Sequence, residues 1–344
     1  MPLQRRTTLA LLAATAFCAA APALAQSDFP GKPVNIFTPF PPGSGPDALL
    51  RAITDKLGAL WKQPVLVQNR PGAGGFVVFE APRRLPADGY TLVQLDSEQL
   101  AALPLLYKAR NFQTLQVYDM VASLYNTPFL VTVPVNSPWK NVGDLVAAAR
   151  AQPDKITYGS WGIGSPAHLG GEQLELGTGI AMQHIPFKDS GQMFTALAGG
   201  EIAWALGTIP SSQGVYKANK VRYLGVATPR RIPQMPELPT VAEAGGPKDF
   251  AQSSFVVLAA PKGIAPTVRD RIAADVAKVM QDPDIKARMD TFAFEYVNWS
   301  PDEIVKQANT KGQMYGRLIE RKNISMKEMQ LRHTNLEGLP HEFA

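Results

Sequence analysis

Apolar positions along the chain switch repeatedly between the alternation of a strand and the i, i+3, i+4 spacing of a helix. "KPVNIFTPF" has strand composition, "PPGSGPD" breaks it, and "ALLRAITDKLGALW" places Leu49, Leu50, Ile53, Leu57 and Leu60 at helical spacing. Pro46 suits the first helical turn and Asp47 the positive end of the helix. "QPVLVQN" predicts a second strand, "RPGAGG" a turn, "FVVFEAPRRL" a helix and "YTLVQLD" a third strand. "FLVTVPV" predicts another strand, and "NVGDLVAAAR" a helix that stops before Pro153.

The plan of the first unit then returns. "KITYGS" predicts a strand, and "GSWGIGSPAHLGGE", residues 159 to 172, sets five glycines in fourteen positions before and within a helix that begins near Pro166 or His168. "AMQHIPF", "IAWALG" and "VRYLGVA" predict strands, with a helix near 190–198. After the proline-rich "PQMPELPTVAEAGGP" come a strand at "SFVVLAAP" and a helix over 266–281. "SPDEIVKQ" opens a last helix, with Ser300 as cap and Glu303 completing a capping box. The alternation predicts an α/β architecture with a mostly parallel sheet. Each of its two halves presents one glycine loop at a helix N-terminus.

The first residues change the compartment. Arg5 and Arg6, the apolar run Leu9 to Phe17, and "APALA" predict a signal peptide over residues 1–25, cleaved after Ala25 for delivery to the periplasm. "QRRTTLALL" leaves the general and the twin-arginine export routes both open. Cys18, the sole cysteine, lies in the segment to be removed, which excludes a disulfide, a thiolate metal site and a cysteine nucleophile from the mature chain. No later run of 18 apolar residues predicts a membrane span. Lysine and arginine number 34 against 29 acidic residues; losing Arg5 and Arg6 leaves 32 against 29, a net +3. That balance attracts small anions mildly and leaves no nucleic-acid footprint.

Three chemistries fit the second glycine loop. "GIGSPA", with Gly162, Gly164 and Ala167, matches the loose dinucleotide fingerprint of an oxidoreductase, although Asp189 follows later than the usual spacing of about 20 residues. Ser160 or Ser165 with His168 could serve a hydrolase, but "GSWG" is not G-x-S-x-G, and the four histidines, 168, 184, 333 and 341, leave few triad partners. The third reading is a clamp for a small carboxylate, since free amides and a helix dipole favour an anion by about 0.3–1 kcal/mol when exposed and about 2 when partly buried. The chain contains neither GxxxxGK[ST] nor HExxH, so no cofactor and no metal are expected.

"PGKPVNIFTPFPPGSGPD", "QPVLVQNRPGAGG", "DGYTL", "ITYGSWGIGSPAHL", "HIPFKD", "LAGGEI" and "LPTVAEAG" occur in this order. Through them the chain, from Phe29 to Lys322, resembles the substrate-binding receptors of tripartite tricarboxylate transporters, the Bug family of periplasmic binding proteins. The resemblance implies a two-lobed type II periplasmic binding fold with a ligand cleft between the lobes and no reaction of its own. Residues 26–128 plus 251–344 would form the first lobe, and 129–250 the second. It also implies a monomer that hands a small organic carboxylate to the membrane permease subunits of a tripartite tricarboxylate transporter, with delivery to a sensor protein as the alternative.

By the same resemblance, the carboxylate is gripped by the first loop, through Phe40, Pro42, Gly43, Ser44 and Asp47, and by the second, through Ser160, Trp161, Gly162, Gly164 and Ser165. His168 stands beside the second loop, and Phe187, Asp189 and Thr208 complete the set. "NRPGAGG", Asn69 to Gly75, is read as a structural turn. Where the family often has an acid near Gly207 this chain has none, which disfavours an amino-acid ligand. Trp161 stands where a small residue is common. It either stacks on a flat ring, with Phe40 or Phe187, or packs under its own loop. The expected ligand is an aromatic mono- or dicarboxylate of the terephthalate kind, with aliphatic di- or tricarboxylates next. Residues after Met326 extend past the usual family end and receive no functional account.

Overall fold

The computed structural model describes residues 29–72, 75–108, 111 and 113–324; the expected signal peptide and the extension after Met326 lie outside the described residues. β1 (Val34–Thr38) runs through a loop into α1 (Gly45–Trp61), followed by β2 (Val65–Asn69), α2 (Phe76–Glu80) and β3 (Thr91–Asp96). Three short helices, α3 (Ser97–Ala101), α4 (Leu103–Leu106) and α5 (Thr114–Val117), precede the long strand β4 (Tyr118–Pro128). Only Phe129 separates β4 from β5 (Leu130–Pro134). Then come α6 (Val142–Ala151), β6 (Thr157–Ser160), α7 (Pro166–Thr178), β7 (Gln183–Pro186) and α8 (Ser190–Gly199). β8 (Trp204–Gly207), α9 (Ile209–Lys217) and β9 (Val221–Val226) follow, and the chain closes with β10 (Ser253–Pro261), α10 (Pro266–Val279), α11 (Pro283–Phe292) and α12 (Pro301–Arg321).

Two five-stranded sheets result, with orders β2-β1-β3-β10-β4 and β7-β6-β8-β5-β9. In the first, β1 is parallel to β2 and β3, while β10 is antiparallel to β3 and β4. The second repeats the scheme, with β6 parallel to β7 and β8, and β5 antiparallel to β8 and β9. The expected mostly parallel sheet is thus corrected to two mixed sheets. The reason lies in the crossings: β5 and β10 each arrive from the other sheet and enter at the end where the parallel strands finish. The two crossings run side by side, with Phe129 N donating to Gln252 O at 3.2 Å, Ala227 N to Phe129 O at 2.8 Å and Gln252 N to Ala227 O at 2.9 Å.

Helices cover both faces of each sheet because their apolar stripes need a partner. Leu49, Leu50, Ile53 and Leu57 of α1 are fully buried on one face of the first sheet, against Val34, Ile36 and the α10–α11 residues Ile272, Val276 and Ile285. Each such side chain contributes about 1.5–3 kcal/mol relative to exposure. Phe37, Val93 and Leu95 face the other way and meet Phe76, Phe79 and the α12 residues Tyr315, Leu318 and Ile319. In the second sheet α6 and α7 cover one face and α8 the other.

Three local expectations change. The helix at "FVVFEAPRRL" shortens to five residues, because Pro82 lacks an N–H and starts a 3₁₀ turn over Pro82–Arg84. The Ser300 Oγ accepts the Glu303 amide at 3.2 Å, but the Glu303 carboxylate turns to Lys306 and Gln307, so only half of the capping box forms. Alternation of strands and helices also left β4, α9 and α11 unmarked. Beneath α12 lies a buried polar group: Lys311 Nζ donates to Glu98 Oε1 and Ser97 Oγ, both at 2.8 Å, and Tyr315 OH donates to Glu98 Oε1 at 2.6 Å. Burial pushes the Glu98 carboxyl up, but the charge and hydrogen bond of Lys311 hold it below the usual carboxylate range.

Candidate functional site

The loops that follow β1 and β6 are built to one plan. Gly43 and Gly164 both sit at φ +79°, a left-handed conformation that suits glycine. The next residue is a serine in extended conformation, Ser44 at φ −67°, ψ 160° and Ser165 at φ −65°, ψ 157°, and a proline lies in the first helical turn. Ser44 N donates to Pro41 O, and Ser165 N to Gly162 O, each at 3.2 Å. In both loops the glycine amide is captured by the side chain four residues on. Gly43 N donates to Asp47 Oδ2 at 2.8 Å, and Gly164 N to His168 Nδ1 at 3.0 Å.

Asp47 is buried, and its other bonds also point into the protein. Arg51 Nε donates to Oδ2 at 3.0 Å and Asn69 Nδ2 to Oδ1 at 2.7 Å; Asn69 Nδ2 also donates to Phe40 O at 2.9 Å. Burial raises the carboxyl, but these donors outweigh it and hold Asp47 below its usual range. Expected as a ligand contact, Asp47 turns its carboxylate beneath the loop, where its charge would repel an anion, and leaves only its backbone amide facing the helix start. Ser44 makes no side-chain cap; its hydroxyl turns back towards the loop and donates to Pro41 O at 2.7 Å. The Asp47 amide is therefore left uncapped, and neither it nor the Gly45 amide has an acceptor among the described residues.

The second loop rests on stacked imidazoles. Ser160 is fully buried; its Oγ accepts the Gly162 amide at 3.1 Å and lies 2.7 Å from His184 Nε2. The rings of His168 and His184 stack at 4.0 Å. Burial, with His168 alongside, lowers His184 to about 3, so it is neutral. Glu172 Oε1 lies 3.5 Å from His168 Nε2 and accepts the Tyr158 hydroxyl at 2.8 Å. The amides of Gly162 and Gly164 are therefore occupied, which leaves a dinucleotide phosphate without its cradle. Ser160 and His184 are close enough for a nucleophile and base, yet Ser160 has no exposed surface and the carboxylate faces His168 instead. The amides of Trp161, Ile163 and Ala167 have no acceptor among the described residues.

The remaining expected residues divide between the cleft walls and helix caps. Trp161, half-buried, stacks on Phe129 with centroids 6.1 Å apart and packs with Phe187 on the second-sheet core. Phe40 packs on the first-sheet core instead. Pro42 and Gly43 are exposed. Three caps occupy their own helices: Ser165 Oγ accepts the His168 amide, Asp189 Oδ1 the Gln192 amide at 2.9 Å, and Thr208 Oγ1 the Ser211 amide at 3.3 Å. Among the four helices starting at these residues, only α1 is left without a side-chain cap.

The walls meet at two places. A Cβ on Gly45 would lie 2.6 Å from Pro210 Cβ, so the N-termini of α1 and α9 face each other at close range, and a Cβ on Gly164 would strike Leu106. Arg51 and Glu172 carried a signal in the sequence, four residues from Asp47 and His168 on the same helix face. Leu106, His184 and Pro210 carried none, because they join the site only through tertiary contact. Among the described residues no cluster of histidine, cysteine, aspartate and glutamate suits a metal ion, and no helix is long and apolar enough to cross a membrane.

Residues 49–324 match the family model described as the tripartite tricarboxylate transporter family receptor. BugT of Bordetella pertussis is 31% identical over 275 residues, covering 80% of this chain and 83% of that one. A Cupriavidus necator protein, described as the UPF0065 protein in the gbd 5'region, is 32% identical over 304 residues, covering 86% and 91%. Among solved structures, a periplasmic transporter superposes with TM-score 0.79 at 28% identity, covering 87% of this chain and all of that one. An R. palustris protein solved with adipate superposes with TM-score 0.80 at 26% identity, covering 86% and 99%. The two sheets are thus those of a type II periplasmic binding fold, and the chain belongs to the tripartite tricarboxylate transporter receptor family: it is a periplasmic solute-binding receptor and not an enzyme.

Proposed function

We propose that the protein captures a small organic carboxylate between the loops Phe40–Asp47 and Ser160–His168 and delivers it, as a monomer, to the permease subunits of a tripartite tricarboxylate transporter. The uncapped start of α1 carries this reading. Its Gly45 and Asp47 amides point from a helix N-terminus, and α9 begins directly opposite. Charge-assisted hydrogen bonds contribute about 1.5–3 kcal/mol each, so two or three with apolar burial approach the roughly 8 kcal/mol of micromolar binding.

Within that class we favour an aromatic mono- or dicarboxylate of the terephthalate kind. Trp161 is half-buried beside the second loop, and aromatic pairing adds about 0.5–1.5 kcal/mol beyond area. Aliphatic dicarboxylates are the second reading, supported by the relative solved with adipate. Isothermal titration against terephthalate, benzoate, adipate, citrate and glutamate separates the two. One-to-one binding of terephthalate that weakens about 2- to 10-fold in Trp161→Ala supports the aromatic reading. Binding of adipate alone replaces it with the aliphatic one, and binding of no carboxylate at all refutes both.

A further inference from the structure

We propose that Lys322 and Glu172 are positioning residues for the second loop: together they keep the His168 proton on Nε2, so that Nδ1 stays free to accept the Gly164 amide. The inference rests on reading Ser160–His168 as a ligand loop, although its geometry is independent of any ligand.

The two loops differ in one chemical respect. Asp47, which captures the Gly43 amide, is an ionised carboxylate and accepts with either oxygen. His168, in the equivalent place, accepts through Nδ1 only in one neutral tautomer. The other tautomer, or the imidazolium, would set an N–H against the Gly164 N–H and push the loop away. Something must therefore favour the proton on Nε2. Glu172 stands 3.5 Å from that nitrogen, and its side chain is only 14% exposed.

Glu172 in turn needs a countercharge. It shares α7 with Glu175, one turn away, and Lys322 Nζ lies 3.1 Å from Glu172 Oε2 while pairing also with Glu175 Oε2. The Met182 amide donates to the second oxygen of Glu175. Burial pushes the Glu172 carboxyl up, but His168, Tyr158 and Lys322 together bring it down to about 2, so it faces the imidazole as an anion. The remaining neighbour, His184, is neutral beneath the His168 ring.

The origin of Lys322 gives the contact its reach. It closes the C-terminal end of α12, whose Tyr315, Leu318 and Ile319 pack on the first sheet, whereas α7 belongs to the second. Gln252 Nε2, in the crossing segment, reinforces the junction by donating to Pro166 O at 3.2 Å. A side chain anchored to one sheet thereby sets the tautomer that shapes the binding loop of the other.

The test combines imidazole ¹⁵N spectra with amide hydrogen exchange on the purified protein and on Lys322→Met, Glu172→Gln and Lys322→Arg. The unmodified protein should show His168 protonated at Nε2 only. Lys322→Met and Glu172→Gln should move the Nδ1 signal towards a mixture of tautomers and speed Gly164 amide exchange at least tenfold, leaving Tyr158 and Gly159 unchanged. Lys322→Arg should restore both signatures. An unchanged tautomer and Gly164 amide in Lys322→Met, or an equal loosening of all of α7, overturns the proposal. Adipate titration forms a separate arm, with about tenfold weaker binding expected in Lys322→Met. If the unmodified protein ignores every carboxylate, the ligand reading fails while the spectra still decide the positioning role.

Discussion

Replacing Gly45 by alanine should separate binding from folding. Gly45 opens α1 with no positive φ, so its backbone accepts alanine and the fold itself should gain slightly, by up to about 0.4–1 kcal/mol. The added Cβ would sit 2.6 and 2.7 Å from Pro210 Cβ and Cγ, where ordinary contact begins near 3.4 Å. A proline ring cannot swing aside, so the two helix N-termini must part by nearly 1 Å. Overpacking of this kind costs about 1–3 kcal/mol. Because the two walls belong to different sheets, separating them relieves the clash without unfolding either. The cost therefore falls on the approach of the two walls that the ligand would bridge, and Kd should rise roughly 5- to 150-fold. Titration calorimetry with terephthalate or adipate reads the first quantity and thermal unfolding without ligand the second. A Kd within twofold of the unmodified protein, or a fall in Tm matching the binding loss, would refute the reasoning.

Three further outcomes follow from buried groups. Asp47→Ala removes an acceptor of half-buried Asn69 and frees the exposed Gly43 amide and Arg51 to water, so stability should drop by about 1–3 kcal/mol by urea unfolding, with carboxylate binding weakened as the loop relaxes. Lys311→Met leaves the Glu98 carboxylate, itself buried, without its cation, and should destabilise by about 3–5 kcal/mol; a change below 1 kcal/mol would mean that Ser254 and Tyr315 suffice. His184, neutral in the fold and lowered to about 3 against 6.5 in the open chain, makes stability fall as pH drops below about 6.5, because only the unfolded chain takes up the proton. Between pH 6.5 and 3 its share of the slope is at most about 1.4 kcal/mol per unit, and His184→Phe should flatten the acid limb of a urea-midpoint series by that amount.

Local chemistry carried much of this protein in its sequence. The stripe Leu49, Leu50, Ile53, Leu57 had to be a helix face, and "PPGSGPD" and "GIGSPAH" had to be breaks before helices, because glycine conformation, proline φ and helix period act over a few residues. The repeated strand, glycine loop and helix was legible for the same reason. Which loop amides remain available was not legible. The side chains that consume or spare them are fixed by contacts with Asn69, His184 and Lys322, and in α1 by Ser44 turning away from its own helix.

The mixed pairing of both sheets also lay beyond the sequence. A run such as "SFVVLAAP" declares itself a buried strand, yet its direction depends on which sheet the chain has just left. The approach of Gly45 to Pro210, and of Gly164 to Leu106, is likewise a property of two sheets brought together. Sequence determined most of the elements, the two glycine breaks and the class of chemistry, since each is set by neighbours along the chain. Tertiary structure decided which donors stay free, what surrounds the His168 imidazole and where the walls touch, since those depend on groups that folding brings in from outside the local segment.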